Sequence, residues 1–204
     1  MRAFSVFAAL AAALVLSACQ AGPGGVSADD MTLGNPKAKV TVTEYASLGC
    51  PHCAAFNNDV FPAFKAKYID TGKVFYIARE ALTGDASIAA AGFLTARCAG
   101  KAKYFQVVDA VYHAQTQLES GDPHAILLQI ARAAGLTDAQ FDACIRDQAA
   151  VKALDDRVQT HMTADKVGAT PTFLINGKVY SKGEMSLAEL DQAIAAAQKD
   201  EPGS

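Results

Sequence analysis

The chain has no surplus of positive charge. Its 18 Lys and Arg are outnumbered by 21 Asp and Glu, giving a formal net charge of −3, so it lacks the concentrated basic surface that a nucleic-acid partner requires. Neither the P-loop nor the dinucleotide-binding glycine fingerprint occurs, which excludes the usual phosphate cradles. There is no internal repeat, and no low-complexity block beyond one short tether. A run long enough to cross a bilayer is missing too: Ala3 to Leu16, after Arg2, is apolar for about fourteen residues, too short to span comfortably. What remains is 204 residues, 51% hydrophobic and 19% charged. That is the composition of a folded chain, one domain or one domain with a large insertion.

The five cysteines are an awkward number for a disulfide-bearing protein, because one thiol should be left over. The N-terminus accounts for the odd one. A positive residue followed by a short apolar run has the form of an export signal. It ends in Leu16-Ser17-Ala18-Cys19, which resembles the bacterial lipoprotein processing box, in which the new N-terminal cysteine carries lipid. Ordinary secretory cleavage after Ala18, leaving Cys19 as a free thiol, is the alternative. Loss of residues 1–18 moves the formal charge from −3 to −4. Gln20 to Ala28 then reads as a flexible tether. An Asp after the cysteine would indicate inner-membrane retention; Gln20 favours the outer membrane. The expected location is therefore a bacterial membrane facing the periplasm, an oxidising compartment that permits disulfides.

In the mature chain, Lys39 to Tyr45 alternates as a half-buried strand. Cys50-Pro51-His52-Cys53 follows, then a helical pattern with Phe56, Val60, Phe64 and Tyr68 at i, i+4. Val74 to Ala78 is a short continuous apolar run suited to a buried strand. From Asp85 to Asp165 the chain reads as helix: Ala86–Ala99, Lys101–Gln117, Pro123–Ala134, Asp138–Gln148 and a longer one from Ala150, broken at glycines and started by Asp122-Pro123 and Thr137-Asp138. Thr172 to Ile175 and Lys178 to Tyr180 flank Asn176-Gly177, a strong two-residue hairpin signal. A last helix covers Leu187 to Gln198.

Cys50 and Cys53 sit at a strand-to-helix junction, close enough in sequence to share one small disulfide loop. The first cysteine lies at a helix N-terminus, where free backbone N–H groups and the macrodipole stabilise a thiolate. That thiolate is both the nucleophile and a good leaving group in disulfide exchange. Stabilising it favours the reduced form, so the pair becomes an oxidant. Pro51 suits a first helical turn, and His52 can add a donor or a positive charge beside Cys50.

The CPHC motif after KVTVTEYASLG resembles that of the DsbA-like branch of the thioredoxin superfamily, and Gly168-Ala169-Thr170-Pro171-Thr172-Phe173 resembles its cis-proline loop. The resemblance covers nearly all of residues 31–198. It implies an α/β thioredoxin fold with an inserted all-helical subdomain. The chain then divides into signal peptide 1–18, tether 19–28, thioredoxin fold 29–84, helical insertion 85–165 and the rest of the thioredoxin fold 166–200. It further implies that Cys50 is the exposed nucleophile and Cys53 the buried resolving thiol. Pro171 is then the cis-proline facing them, and Thr170 offers backbone hydrogen bonds to an extended substrate peptide. Glu44 matches a buried acid that accepts or relays a proton for Cys53. Gly49 departs from the family pattern, where bulkier residues are common, which leaves substrate contact on that side open.

Blander readings stand beside these. A CxxC can be a metal half-site or a structural pair, Pro171 a strand-edge residue, and Glu44 an ordinary strand-face carboxylate. Cys98 and Cys144 either bridge two insertion helices as a structural disulfide or remain separate buried thiols; with Cys50 and Cys53 paired locally, the bridge is favoured. His161-Met162 raises copper, but reads better as a surface histidine and a packed methionine. His113 and His124 read as solvated or cap-region residues, Asp155-Asp156-Arg157 as a solvated helix face, and Phe56, Phe64 and Tyr68 as core. The expected function is a monomeric periplasmic thiol:disulfide oxidoreductase. It would need no metal or organic cofactor, would give its Cys50–Cys53 disulfide to reduced or partly unfolded exported proteins, and would be reoxidised by a membrane oxidase. The rivals are a disulfide reductase or isomerase on the same scaffold, and a lipid-anchored copper or zinc binder using Cys50, His52 and Cys53.

Overall fold

The structure, a computed structural model, describes residues 25–199. The expected export signal, the expected lipidation site Cys19 and most of the expected tether lie outside the described residues. Five strands form one mixed sheet in the order β1-β3-β2-β4-β5. The alternating segment becomes β2 (Val40–Ala46), and the apolar run becomes β3 (Val74–Glu80), parallel to it. β4 (Thr172–Ile175) pairs antiparallel with β2 on its other side, and β5 (Lys178–Lys182) closes a hairpin on β4. Asn176 and Gly177 both have positive φ (47° and 77°), as the tight hairpin turn requires. A short strand that periodicity does not reveal, β1 (Met31–Gly34), adds antiparallel to β3.

The helical stretch after the CxxC is interrupted. α1 (Pro51–Ala55) passes into a π-helical turn at Phe56–Val60, then α2 (Phe61–Phe64), then a second π turn at Lys65–Ile69. Pro62 supplies a reason for the first: it has no N–H and its ring crowds the carbonyl four residues back. Phe61 instead donates its N–H to Phe56 O, five residues back. The aromatic stripe still packs inward. Phe56, Phe64 and Tyr68 join Val40, Val42, Tyr76, Phe173 and Leu190 in one core layer between the sheet, these helices and α9 (Leu187–Lys199).

Between β3 and β4 the chain is helical throughout: α3 (Ala86–Cys98), α4 (Tyr104–His113), α5 (Gln115–Ser120), α6 (Pro123–Ala133), α7 (Asp138–Arg146) and α8 (Gln148–Ala164). The expected Lys101–Gln117 helix is two, because the chain turns at Ala114 without a glycine or proline to mark it. Asp85, Asp122, Thr137 and Asp147 cap α3, α6, α7 and α8 with their side chains, each satisfying otherwise unpaired N–H groups. Cys98 on α3 and Cys144 on α7 form a disulfide, with Cα atoms 6.4 Å apart. The core of this helical layer includes Leu48, Cys50 and Cys53 together with Phe93, Val111, Tyr112 and Phe141. The insertion thus packs directly onto the cysteine pair.

Two expectations on the insertion are corrected. His161 is not a surface residue: its side chain is 17% exposed and lies 3.6 Å from Asp30, and burial pushes its pKa down. Arg157 leaves the solvated Asp155-Asp156 face and turns inward to Glu80, 3.4 Å away. His113 and His124 do stay exposed, the latter 2.8 Å from Asp142.

Candidate active site

Cys50 is the last extended residue before α1 (φ −105°, ψ 118°), so its sulfur sits where the first helical N–H groups are free. The Cys53 thiol, the Thr170 side chain and the backbone N–H groups of Cys53 and His52 favour its thiolate, the Cys53 N–H donating as well to Cys50 O at 3.1 Å. Together, led by the Cys53 thiol and against the opposing effect of burial, they lower the Cys50 pKa from 9.0 to about 5. Cys53 moves the other way. Its bond to the Cys50 sulfur, then burial, then the charge of Glu44 hold its thiol protonated well above the usual range. One cysteine is thus primed as thiolate and the other as proton carrier.

Cys50 is less open than expected. It is 6% exposed and Cys53 0%, because the loop before β4 folds over it. The Thr170–Pro171 peptide is cis, and Thr170 O lies 3.5 Å from Cys50 Sγ. The structure thus brings Cys50, Cys53, Thr170 and Pro171 together, with Cys50 covered by the insertion and this loop. Pro51 and His52 are the exposed members of the motif. His52 Nδ1 pairs with Glu184 Oε1 at 2.5 Å, a partner 132 residues away that nothing in the sequence announces.

Glu44 lies on central strand β2, opposite Ala78 and Phe173, and is 4% exposed. Burial raises its pKa from 4.5 to about 7, and the Cys50 charge adds to the rise. The Tyr76 hydroxyl donates to its Oε2 at 2.6 Å and opposes the shift. Glu44 also borders a cavity of about 330 Å³, walled by Phe61, Phe93, Tyr104, Phe105 and Tyr112. A carboxyl that titrates near neutrality beside a buried thiol can take up or return a proton. Among the described residues, no three His, Cys, Asp or Glu side chains are grouped so as to hold a metal ion.

The departure at Gly49 has a steric cause. A Cβ there would run into the backbone of Asp85, and one on Gly84 (φ +66°) into the carbonyl of Gly49. The two glycines let the active-site loop and the entrance to the insertion meet backbone to backbone, sealed by Asp85 N–H donating to Gly49 O at 3.2 Å. Ser47 reinforces the junction: its hydroxyl donates to Thr83 O (2.8 Å) and accepts the N–H of Thr83 (3.2 Å) and of Gly49 (3.3 Å). Ser47, Tyr76, Thr83 and Glu184 escape sequence reasoning because their partners are distant in the chain. Only the Thr-Gly-Asp triplet before α3 signals a turn.

A CxxC at a helix start, a facing cis-proline and a buried acid on the central strand define a site of the thioredoxin fold. The family model described as Thioredoxin matches residues 27–196, and the chain belongs to the thioredoxin family, in its DsbA-like branch. A relative from Rickettsia bellii, whose name assigns it provisionally to the protein-disulfide oxidoreductases, is 33% identical over 83% of this chain. The chain spans 66% of the length of that relative and 64% of one from Rickettsia typhi. Among solved structures, Wolbachia pipientis alpha-DsbA1 superposes with a TM-score of 0.75 at 29% identity, covering 85% of this chain and 94% of that one. Chlamydia trachomatis DsbA shares the fold, with a TM-score of 0.73 at 17% identity over 87% and 96% of the two chains.

Proposed function

We propose that this chain is a protein thiol:disulfide oxidoreductase that donates its Cys50–Cys53 disulfide to reduced exported proteins. The observation that carries the reading is the asymmetry of the pair: Cys50 held as thiolate at about 5, Cys53 held as thiol. Stabilising the Cys50 thiolate stabilises the reduced form alone, so the disulfide is readily given away. A substrate thiolate attacks Cys50 Sγ; the Cys50–Cys53 bond breaks and its electron pair leaves on Cys53, which takes a proton, with Glu44 as the nearby acid. A second substrate thiolate attacks the substrate sulfur of the mixed disulfide and expels Cys50 as thiolate. The substrate dithiol loses two electrons and two protons; the enzyme takes up both electrons and one proton, on Cys53, while the other proton goes to solvent because Cys50 leaves as thiolate. Pro171 and the Thr170 backbone would bind the substrate strand beside Cys50, and a membrane oxidase would reoxidise the dithiol.

The test is stoichiometric oxidation of a reduced, unfolded protein by the oxidised chain, with its glutathione redox equilibrium. Oxidation is expected to vanish in Cys50→Ser, and the equilibrium to lie far on the oxidising side of thioredoxin. A thioredoxin-like potential would overturn the donor role, and activity surviving in Cys50→Ser would overturn the mechanism.

The location belongs to the same proposal: lipid on Cys19 holding the enzyme at a periplasmic membrane face, supported by the Leu16-Ser17-Ala18-Cys19 box and the tether behind it. In a bacterial host, the full chain should fractionate with membranes and Cys19→Ser with the soluble periplasm. Membrane association unchanged in Cys19→Ser would overturn the anchor.

A further inference from the structure

Thr83 belongs to no motif, yet it occupies the joint between three parts of the site. Its backbone N–H and C=O are both engaged by the hydroxyl of Ser47, on the loop that leads into the CxxC. Its neighbour Gly84 abuts Gly49, and Asp85 starts the insertion. So held, the Thr83 side chain reaches across 87 residues of sequence to place Oγ1 2.5 Å from Oγ1 of Thr170, the residue before the cis-proline. Thr170 O lies 3.5 Å from Cys50 Sγ, and the Thr170 side chain is among the groups that favour the Cys50 thiolate. Thr170 thus stands between the Thr83 hydroxyl and the Cys50 sulfur.

The direction of the hydrogen bonding follows from what each end can do. A thiolate accepts and does not donate, so with Cys50 ionised the Thr170 proton turns to sulfur. The Thr170 oxygen then needs a donor, and the part-buried Thr83 hydroxyl is the group in contact with it. Hydrogen bonds in series polarise one another. We propose that Thr83 is a positioning residue of the redox centre: it donates to Thr170 Oγ1, fixes that side chain, and directs the Thr170 proton onto the Cys50 thiolate. It touches neither cysteine nor substrate, and acts only through Thr170. Through Ser47 and Gly84 it also makes the thiolate sensitive to how the insertion seats on the active-site loop.

The inference rests on the proposed thiol chemistry only in that Cys50 ionises, and its test separates the two. The reduced full-length protein is titrated by thiolate absorbance, and its equilibrium with glutathione is measured, for Thr83→Val, Thr83→Ser, Thr170→Val and the double valine variant. Valine keeps the shape of threonine and leaves the backbone bonds to Ser47 intact. Losing one hydrogen bond in a chain ending on a charge should move the glutathione equilibrium of Thr83→Val roughly 3- to 10-fold toward the less oxidising side. The thiolate midpoint should rise in step. Thr83→Ser should stay within about two-fold of the parent, and Thr83→Val should add nothing once Thr170 is valine. A Thr83→Val protein that titrates like the parent would overturn the inference. So would additive effects in the double variant, or equal shifts in Thr83→Val and Thr83→Ser, which would mean that packing and not the hydroxyl matters. Should Thr83→Val fail to fold, the same titration of Thr83→Ala and Thr83→Ser decides by whether the hydroxyl alone restores the midpoint. Failure of the donor role leaves all these titrations readable, since they require no protein substrate.

Discussion

Cys50 and Glu44 shift in opposite directions, and their consequences for stability have opposite signs. The Cys50 pKa falls from 9.0 in an unperturbed thiol to about 5, so its contribution to the reduced fold is present above pH 9 and is lost as pH falls through 5. The Glu44 pKa rises from 4.5 to about 7, so its contribution is complete below pH 4.5 and is lost as pH rises through 7. In the oxidised protein Cys50 does not titrate, and only the Glu44 slope remains. Urea unfolding between about pH 4.5 and about pH 8 should therefore show the oxidised protein losing stability to Glu44, by less than the roughly 3 kcal/mol that a shift of about 2.5 pKa units is worth, because the Cys50 charge that adds to the rise is absent. Relative to that curve, the reduced protein should gain steadily as pH rises. Glu44→Gln should flatten the oxidised curve while still accepting the Tyr76 hydroxyl. Parallel curves for the two redox states would argue against a stabilised Cys50 thiolate, and an unchanged slope in Glu44→Gln against Glu44 as the buried acid.

At the level of elements, what was legible in the sequence is what local chemistry decides. The order β2, CxxC helix, β3 and the Asn176-Gly177 hairpin follow from period-2 and period-3.6 patterns and turn residues, which act within a few positions. The insertion helices are legible from their caps, since Asp122-Pro123 and Thr137-Asp138 place the orphan N–H groups beside an acceptor. β1 is not, because four residues carry too little alternation and its position comes from the exposed edge of β3. The first π turn is hidden for a related reason: the Phe56–Tyr68 stripe keeps its facing while Pro62 forces an extra residue into that turn. The site divides along the same line. Cys50, Cys53, Glu44 and Pro171 lie on regular elements or their ends, and their proximity follows from the fold. The Gly49–Gly84 docking and the Thr83 joint are contacts between loops, the His52–Glu184 pair joins α1 to the segment after β5, and only the assembled chain brings them together. Gly49 illustrates the limit: in sequence it is a missing side chain, in structure it is the space that Asp85 fills.

Over the whole molecule, adjacent residues of β3 bind the insertion and the segment before β1 to the sheet. Arg79, 4% exposed, lies 2.6 Å from Asp165 at the end of α8 and 3.4 Å from Asp30 before β1. Tyr45 on β2 donates to the same Asp165 at 2.7 Å. Glu80 accepts from Arg97 of α3 (2.6 Å), from Tyr104 of α4 (3.0 Å) and from Arg157 of α8 (3.4 Å). Buried pairs of this kind are weak sources of net stability, since desolvation offsets much of their attraction; removing one partner, however, strands the other charge. Arg79→Met should therefore cost about 3 to 5 kcal/mol, read as a lower urea midpoint. Adding Asp30→Asn to Arg79→Met should recover part of the loss, because one stranded charge is then gone. The shape of the transition tests the structural claim. If the network is what makes sheet and insertion unfold together, the parent should show one cooperative transition by fluorescence and by circular dichroism. Arg79→Met should then separate the two probes, as the insertion loosens before the sheet. Coincident transitions in Arg79→Met would mean that the apolar contact of the insertion with Leu48, Cys50 and Cys53 suffices to couple the layers. The redox centre itself would then be the main seam of the molecule.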